Sequence, residues 1–264
     1  MKILVTGARG FVGARIMQAL PGAIAAPSLR TADEEAVRRL VGEVQPDVIV
    51  HTAAMSDIGQ CERDPEGSYR ANVELPLWLA KTGVKLAAFS TDQVYSGCGG
   101  EGPYREDDVN PANLYARHKL EMERRTLEIK PDTVLLRATW MYDLPMEGLQ
   151  NRGNFLVNML EGEKLAFSGT QRRGVTWVRE AAENIRQVVR LPGGVYNYGS
   201  ENSLTMLETA RWLKAELGLP VALTDAGERH HLWMDCQRAE QAGVHFDNTI
   251  EGLKRCIAAY GLKK

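Results

Sequence analysis

The chain opens on Lys2-Ile3-Leu4-Val5-Thr6-Gly7-Ala8-Arg9-Gly10-Phe11-Val12-Gly13. A short apolar run suited to a buried strand leads straight into glycines at 7, 10 and 13, and an amphipathic stretch follows. Each glycine has its own reason in a phosphate-binding turn. Gly7 permits the tight turn, Gly10 lets the backbone approach a pyrophosphate, and Gly13 lets the helix pack close to the strand. The N–H groups at the helix start, near Phe11 and Val12, then face the phosphates together with the positive end of the helix dipole. A glycine triplet alone is a weak signal; strand, turn and helix around it make it strong.

The pattern repeats along the first half. Lys2–Thr6, Asp47–His51, Lys85–Thr91 and Thr133–Arg137 read as strands, with a short second strand at Gly22–Ala26. Val12–Leu20, Glu34–Val44, Glu66–Lys81 and Pro111–Ile129 read as helices. Strands without in/out alternation, separated by helices, form a parallel sheet covered on both faces. The expected fold class is therefore α/β, a doubly wound parallel sheet (Rossmann) with a small C-terminal α+β substrate lobe. Residues 1–147 are mainly the dinucleotide-binding part and 148–264 mainly the substrate lobe, with segments that interleave. Gly148–Asn154 is the crossing. In the lobe, Phe155–Leu160, Ala181–Val189 and Leu207–Leu217 read as helices and Val195–Tyr198 as a strand.

The 264 residues are 44% hydrophobic with a formal charge of −2, enough for a sizeable core. Near-neutral charge gives no electrostatic reason for a nucleic-acid or membrane partner, and Arg172-Arg173 is the nearest thing to a basic patch. Gly7 and Arg9 cut the first apolar run too short for a signal peptide, and no segment reaches the ~20 apolar residues of a membrane span. Cys61, Cys98, Cys236 and Cys256 lack metal-ligand spacing and read as reduced thiols, so the expected location is cytoplasmic. His230-His231 has no evident third ligand, and no metal is expected. Trp212 and Trp233 read as core.

Asn110-Pro111 reads as a helix start, with asparagine as N-cap. Tyr115 and Lys119 then lie one turn apart on one helix face. A phenol has a reference pKa of about 10, and a nearby ammonium lowers it toward the range useful for proton transfer. Ser90-Thr91-Asp92 ends an upstream strand, at the sheet edge where ligands sit, so Thr91 can hydrogen-bond a carbonyl as charge develops on it. The loop Cys98–Gly102 is placed to cover a substrate. For the cofactor, Asp33 lies where an acid would take the ribose 2′-hydroxyl of NAD, but it also reads as the opening of a helix. Arg9 and Arg30 are candidates to grip the 2′-phosphate of NADP, or are plain surface arginines. The reading leans to NADPH, with NADH as the alternative.

These residues resemble the extended short-chain dehydrogenase/reductases, and more narrowly the dTDP-4-dehydrorhamnose reductases. The resemblance is carried by Thr6-Gly7-x-x-Gly10-x-x-Gly13, Ala53-Ala54, Tyr69-Arg70-Ala71-Asn72-Val73, Ser90 to Tyr95, and Asn110-Pro111 with Tyr115-x-x-x-Lys119. Arg137 to Tyr142 and Gly153-Asn154-Phe155 extend it. It implies reduction of the 4-keto group of a nucleotide-linked deoxysugar by NADPH, with Tyr115 protonating the oxygen. Lys119 would hold the nicotinamide ribose and tune Tyr115, and Thr91 would orient the carbonyl. Ala53, Ala54 and Asn72 would line the cofactor site; Gln93, Trp140 and Asn154 would meet the sugar nucleotide. A homodimer fits the same resemblance. His51-Thr52 and Val178-Arg179-Glu180 depart from the family pattern, and the chain is shorter. The competing readings are an epimerase or dehydratase of the same superfamily and a non-catalytic NADP-binding regulatory subunit. A dehydratase carries an acid pair after the threonine, whereas here Asp92 is followed by Gln93.

Overall fold

The structure is a computed structural model, and it describes residues 1–149 and 153–263. Of the connector expected at Gly148–Asn154, residues 150–152 lie outside the described residues. The first half runs β1 (Ile3–Thr6), α1 (Phe11–Ala19), β2 (Ile24–Ala25), α2 (Glu34–Val44), β3 (Val48–His51), α3 (Ile58–Arg63) and α4 (Pro65–Tyr69). A π turn, Arg70–Glu74, leads into α5 (Leu75–Lys81) and then β4 (Lys85–Thr91). A 3-10 turn (Asp92–Tyr95), α6 (Leu114–Ile129), β5 (Val134–Ala138) and β6 (Trp140–Tyr142) follow. The second half holds α7 (Phe155–Glu161), β7 (Lys164–Phe167), β8 (Val175–Trp177), α8 (Val178–Val188) and β9 (Gly194–Tyr198). It ends with α9 (Met206–Leu217), β10 (Ala222–Asp225), α10 (Gln237–Gln241) and α11 (Thr249–Tyr260).

Six parallel strands lie in the order β2-β1-β3-β4-β5-β9. The chain leaves β1 in one direction to β2 and returns on its other side as β3, so the order reverses between β1 and β3. Ligands of open α/β sheets bind in the crevice beyond the carboxyl ends at such a reversal. The central strands are apolar throughout because both faces are covered. Ile3, Val5, Val48 and Val50 pack with α1 and α8 on one face; Leu4 and Ile49 pack with α2, α5 and α6 on the other.

Four expectations change. Ala181–Val189, expected in the substrate lobe, belongs to α8, which starts at Val178 and packs on the main sheet beside α1. Val195–Tyr198, expected in the substrate lobe, is the sixth strand of the main sheet, with Leu135 opposite Val195. Its Tyr196 and Tyr198 supply apolar faces that the sheet edge needs. The helix expected from Pro111 begins at Leu114, because the Asn110 amide donates to the Gly97 carbonyl while Asn113 caps, accepting from Ala116 N at 2.9 Å. The helix expected over Glu66–Lys81 is interrupted by the π turn. A second core, including Phe155, Leu156, Trp177, Ala210, Leu213 and Leu253, unites α7, β8, α9 and α11.

Candidate active site

The glycine loop has the geometry of a phosphate cradle. Gly7 has φ +71°, and a Cβ there would stand 2.7 Å from Ala53 N; a Cβ on Gly13 would stand 2.2 Å from Gly7 O. Both positions therefore need glycine, and the β1 turn is fitted against the residues that follow β3. Gly10 caps α1 without a side-chain bond, and the first turn carries no acid. The N–H groups at the start of α1 are left for an anion. Phe11 and Val12 pack against the core, while Arg9 is exposed. The loop residues fit a dinucleotide pyrophosphate.

Asp33 accepts from Ala36 N at 2.8 Å and caps α2, so its carboxylate already has a partner. Arg9 and Arg30 are exposed at this edge, and no ion pair holds either among the described residues. Asn72, expected to line the cofactor site, is fully buried in the π turn. Its Oδ1 accepts from Met55 N at 3.2 Å and its Nδ2 donates to Met55 O at 2.9 Å. It fixes the segment that carries Ala53 and Ala54 rather than pointing at a ligand. π turns of this sort recur at functional sites because one extra residue re-aims the chain.

Tyr115 and Lys119 face the sheet, 7% and 1% exposed. The Lys119 ammonium donates to the Phe89 carbonyl at 2.8 Å, and burial pulls its pKa down to about 8. The expected lowering of Tyr115 by Lys119 is not what the geometry produces. Burial raises the phenol pKa, and the group that most opposes this is the Thr91 hydroxyl. Tyr115 is thus held protonated at neutral pH, as a proton donor must be, while Thr91, 6% exposed, stands beside it at the end of β4. His51, at the end of β3, is fully buried, shares a 2.6 Å hydrogen bond with Thr6 Oγ1, and is held neutral by burial and by the Lys119 charge, its pKa pulled down to about 3.

The RmlD substrate binding domain family matches residues 1–258. The chain belongs to that family. It is 31% identical to a dTDP-4-dehydrorhamnose reductase of Streptomyces griseus over 74% of this chain and 69% of that one. It is 28% identical to the spore coat polysaccharide biosynthesis protein SpsK of Bacillus subtilis over 84% of this chain and 81% of that one. A crystal structure of dTDP-4-dehydrorhamnose reductase from Bacillus anthracis in complex with NADP superposes with a TM-score of 0.86, at 22% identity, covering 98% of this chain and all of that one.

In this RmlD-family chain the substrate-side residues divide into free and committed groups. Asn154 is committed: its Oδ1 caps α7 by accepting from Leu156 N and Val157 N, and its Nδ2 donates to the Asp143 carbonyl at 2.9 Å. Its place is architectural, in contrast to the sugar contact expected. Gln93 accepts from Asn113 Nδ2 at 3.2 Å and so ties the end of β4 to the cap of α6. Trp140 is half-buried and packs edge-on to Phe155, centroids 6.0 Å apart, which leaves it a platform.

The residue that sequence reasoning missed is Arg173, seen there only as half of a basic pair. It reaches from the second lobe to Asp92 with Nε–Oδ2 at 2.7 Å and Nη2–Oδ1 at 3.1 Å, and its guanidinium lies 5.5 Å over the Trp140 ring. Only the adjacency of Asp92 to Thr91 could have hinted at it. Arg172 instead pairs with Glu101 at 3.0 Å, tying the Cys98–Gly102 loop to the second lobe. Trp212 packs in the second core as expected; Trp233 is half-buried beneath Arg172. His230 and His231 form no metal cluster with other ligands among the described residues.

Proposed function

We propose that the chain reduces the 4-keto group of a nucleotide-linked deoxysugar, as a dTDP-4-dehydrorhamnose reductase does, with NADPH as the donor. The observation that carries this reading is the buried triad of Thr91, Tyr115 and Lys119 beside the β1–β3 crevice. NADPH, when bound, supplies the hydride to the carbonyl carbon. Thr91 donates to the carbonyl oxygen and orients it, and Tyr115 gives its proton to that oxygen as negative charge develops. Lys119 remains an ammonium below about pH 8 and offers its charge to the ribose edge of the cofactor. The glycine loop and the start of α1 hold the pyrophosphate. Arg9 and Arg30 take the 2′-phosphate, since Asp33 is already engaged as a helix cap.

The pairing of Asp92 disfavours a dehydratase. A carboxylate gripped on both oxygens by Arg173 and 1% exposed is poorly placed to protonate a leaving hydroxyl. The intact triad likewise favours an enzyme over a regulatory subunit. A cytoplasmic location belongs to the same reading, supported by four free cysteines and by the lack, among the described residues, of a helix long and apolar enough to cross a membrane. The homodimer is tested by light scattering.

The deciding experiment follows NADPH oxidation against a panel of 4-keto nucleotide sugars, with the product identified by NMR. Stoichiometric conversion of a 4-keto sugar to a 4-hydroxy sugar is expected. No oxidation with any of them, in protein that binds NADPH, would overturn the reading.

A further inference from the structure

Arg173 has hydrogen-bonding capacity that Asp92 does not exhaust. Nε and one N–H of Nη2 go to the carboxylate, and Nη1 has no partner among the described residues. The side chain keeps 19% of its surface open while Asp92 keeps 1%. Its position is fixed from both ends. The Arg173 carbonyl accepts from Asn202 Nδ2 at 3.0 Å, residue 173 bridges to Leu232, and the guanidinium stacks on Trp140. The pair also lies beside the catalytic groups: the Thr91 hydroxyl donates to Asp92 Oδ1 at 3.4 Å, and Asp92 raises the Tyr115 pKa while Arg173 lowers it. A fixed N–H donor thus stands over an aromatic platform, next to the general acid.

We propose that the Asp92–Arg173 pair is a charge filter for the sugar ring: Nη1 donates to a neutral hydroxyl of the ring beside the reacting carbonyl, and the pair disfavours a sugar that carries a carboxylate at C6, on the other side of that carbonyl. The placement of a sugar on Trp140 rests on the reductase reading. The selectivity follows from charge. A lone arginine would attract a carboxylate strongly and bidentately. An arginine already neutralised by a buried carboxylate offers a dipole and the two N–H groups of Nη1, which suit a hydroxyl but leave a second carboxylate without a counter-charge. The neighbouring cation does not compensate, because Arg172 is paired with Glu101. Burial and the Arg173 charge hold His230 toward its neutral form.

The test is calorimetric binding to the NADPH-loaded protein, so that it does not depend on turnover. Nucleoside-diphosphate glucose and the corresponding glucuronate are compared in both the uridine and thymidine series, because the two sugars differ only in the C6 carboxylate. The wild type is expected to prefer glucose. Asp92→Asn, which leaves Arg173 charged, is expected to shift the ratio toward glucuronate by about tenfold, the scale of one partly screened charge contact. Arg173→Gln alone strands a buried carboxylate and can fail to fold, so the double variant D92N/R173Q serves as the neutral control. It is expected to bind both sugars more weakly while keeping the wild-type preference. An unchanged ratio in folded, NADPH-binding Asp92→Asn overturns the filter and leaves the reductase reading standing. The expected shift in a protein that reduces no 4-keto sugar supports the filter and removes the reductase reading. Binding of neither sugar overturns the filter, and the reductase reading is then decided by the 4-keto-sugar assay alone.

Discussion

Two buried ion pairs stand at neighbouring strand ends, and they are built differently. Glu123–Arg137 is closed. Both side chains are 3% exposed or less, and the guanidinium gives Nε and Nη2 to the carboxylate and Nη1 to Tyr95 Oη at 2.9 Å and the Glu106 carbonyl at 2.5 Å. Ser90 adds a further bond to Glu123 Oε1 at 2.5 Å. Asp92–Arg173, two residues along from Ser90, has the same chemistry but keeps a donor free and an edge open. A buried pair offsets its desolvation only when its geometry is good and further hydrogen bonds take up the groups the pair leaves over. In the closed pair every guanidinium nitrogen finds a protein partner. The open pair leaves Nη1 without a protein partner, which is the form expected of a pair that meets a ligand.

The strongest way to break this contrast is Glu123→Ala. It strands a buried guanidinium and is expected to destabilise the fold by about 3–5 kcal/mol, read by denaturant unfolding. A loss no larger than that of a surface substitution would show the pair is not structural. The two tyrosines come next. Tyr115→Phe should cost on the order of 10²-fold or more in kcat, with NADPH binding and unfolding midpoint retained. Tyr95→Phe removes a partner of both Arg137 and Asn197 and should do the reverse, costing about 1–3 kcal/mol of stability while kcat per folded molecule holds. If Tyr115→Phe left kcat unchanged, the chemistry would lie elsewhere.

Lys119 sharpens the contrast by pH. Its folded pKa is about 8, below the ordinary lysine value of 10.5. Between these values the unfolded chain binds the proton and the folded one does not, so stability rises with pH across that window. Turnover should fall over the same window as the ammonium is lost. Comparing unfolding and kcat profiles of the wild type with those of Lys119→Met checks both; parallel stability profiles would refute the assignment. The smallest effect is expected at the cofactor edge. Arg9→Ala and Arg30→Ala should raise the NADPH KM more than the NADH KM, and equal changes would argue against a 2′-phosphate contact.

Local chemistry made much of this legible. The turn after β1 must carry Gly7 and Gly13 because a Cβ at either would run into the backbone, so the motif and the geometry coincide. Tyr115 and Lys119 share a helix face wherever that helix begins, so moving its start from Pro111 to Leu114 did not separate them. The contacts between distant segments were not legible. Arg173 and Asp92 are 81 residues apart, and nothing in Arg172-Arg173 says which arginine turns inward. Asn154 looked available because its sequence neighbours resemble a ligand-binding segment, but its amide is consumed in capping α7. Asn72 shows the same effect in the π turn.

Residues read in order along the chain were enough for the alternation of strands and helices, the phosphate loop and the spacing of Tyr115 and Lys119. Those features depend on residues a few positions apart, whose geometry the backbone dictates. Which polar groups are used up and which remain free, that β9 completes the first sheet, and that Thr91 rather than Lys119 tempers the Tyr115 phenol emerge only on folding. Those outcomes depend on how burial and long-range contacts apportion hydrogen bonds among segments that only folding brings together.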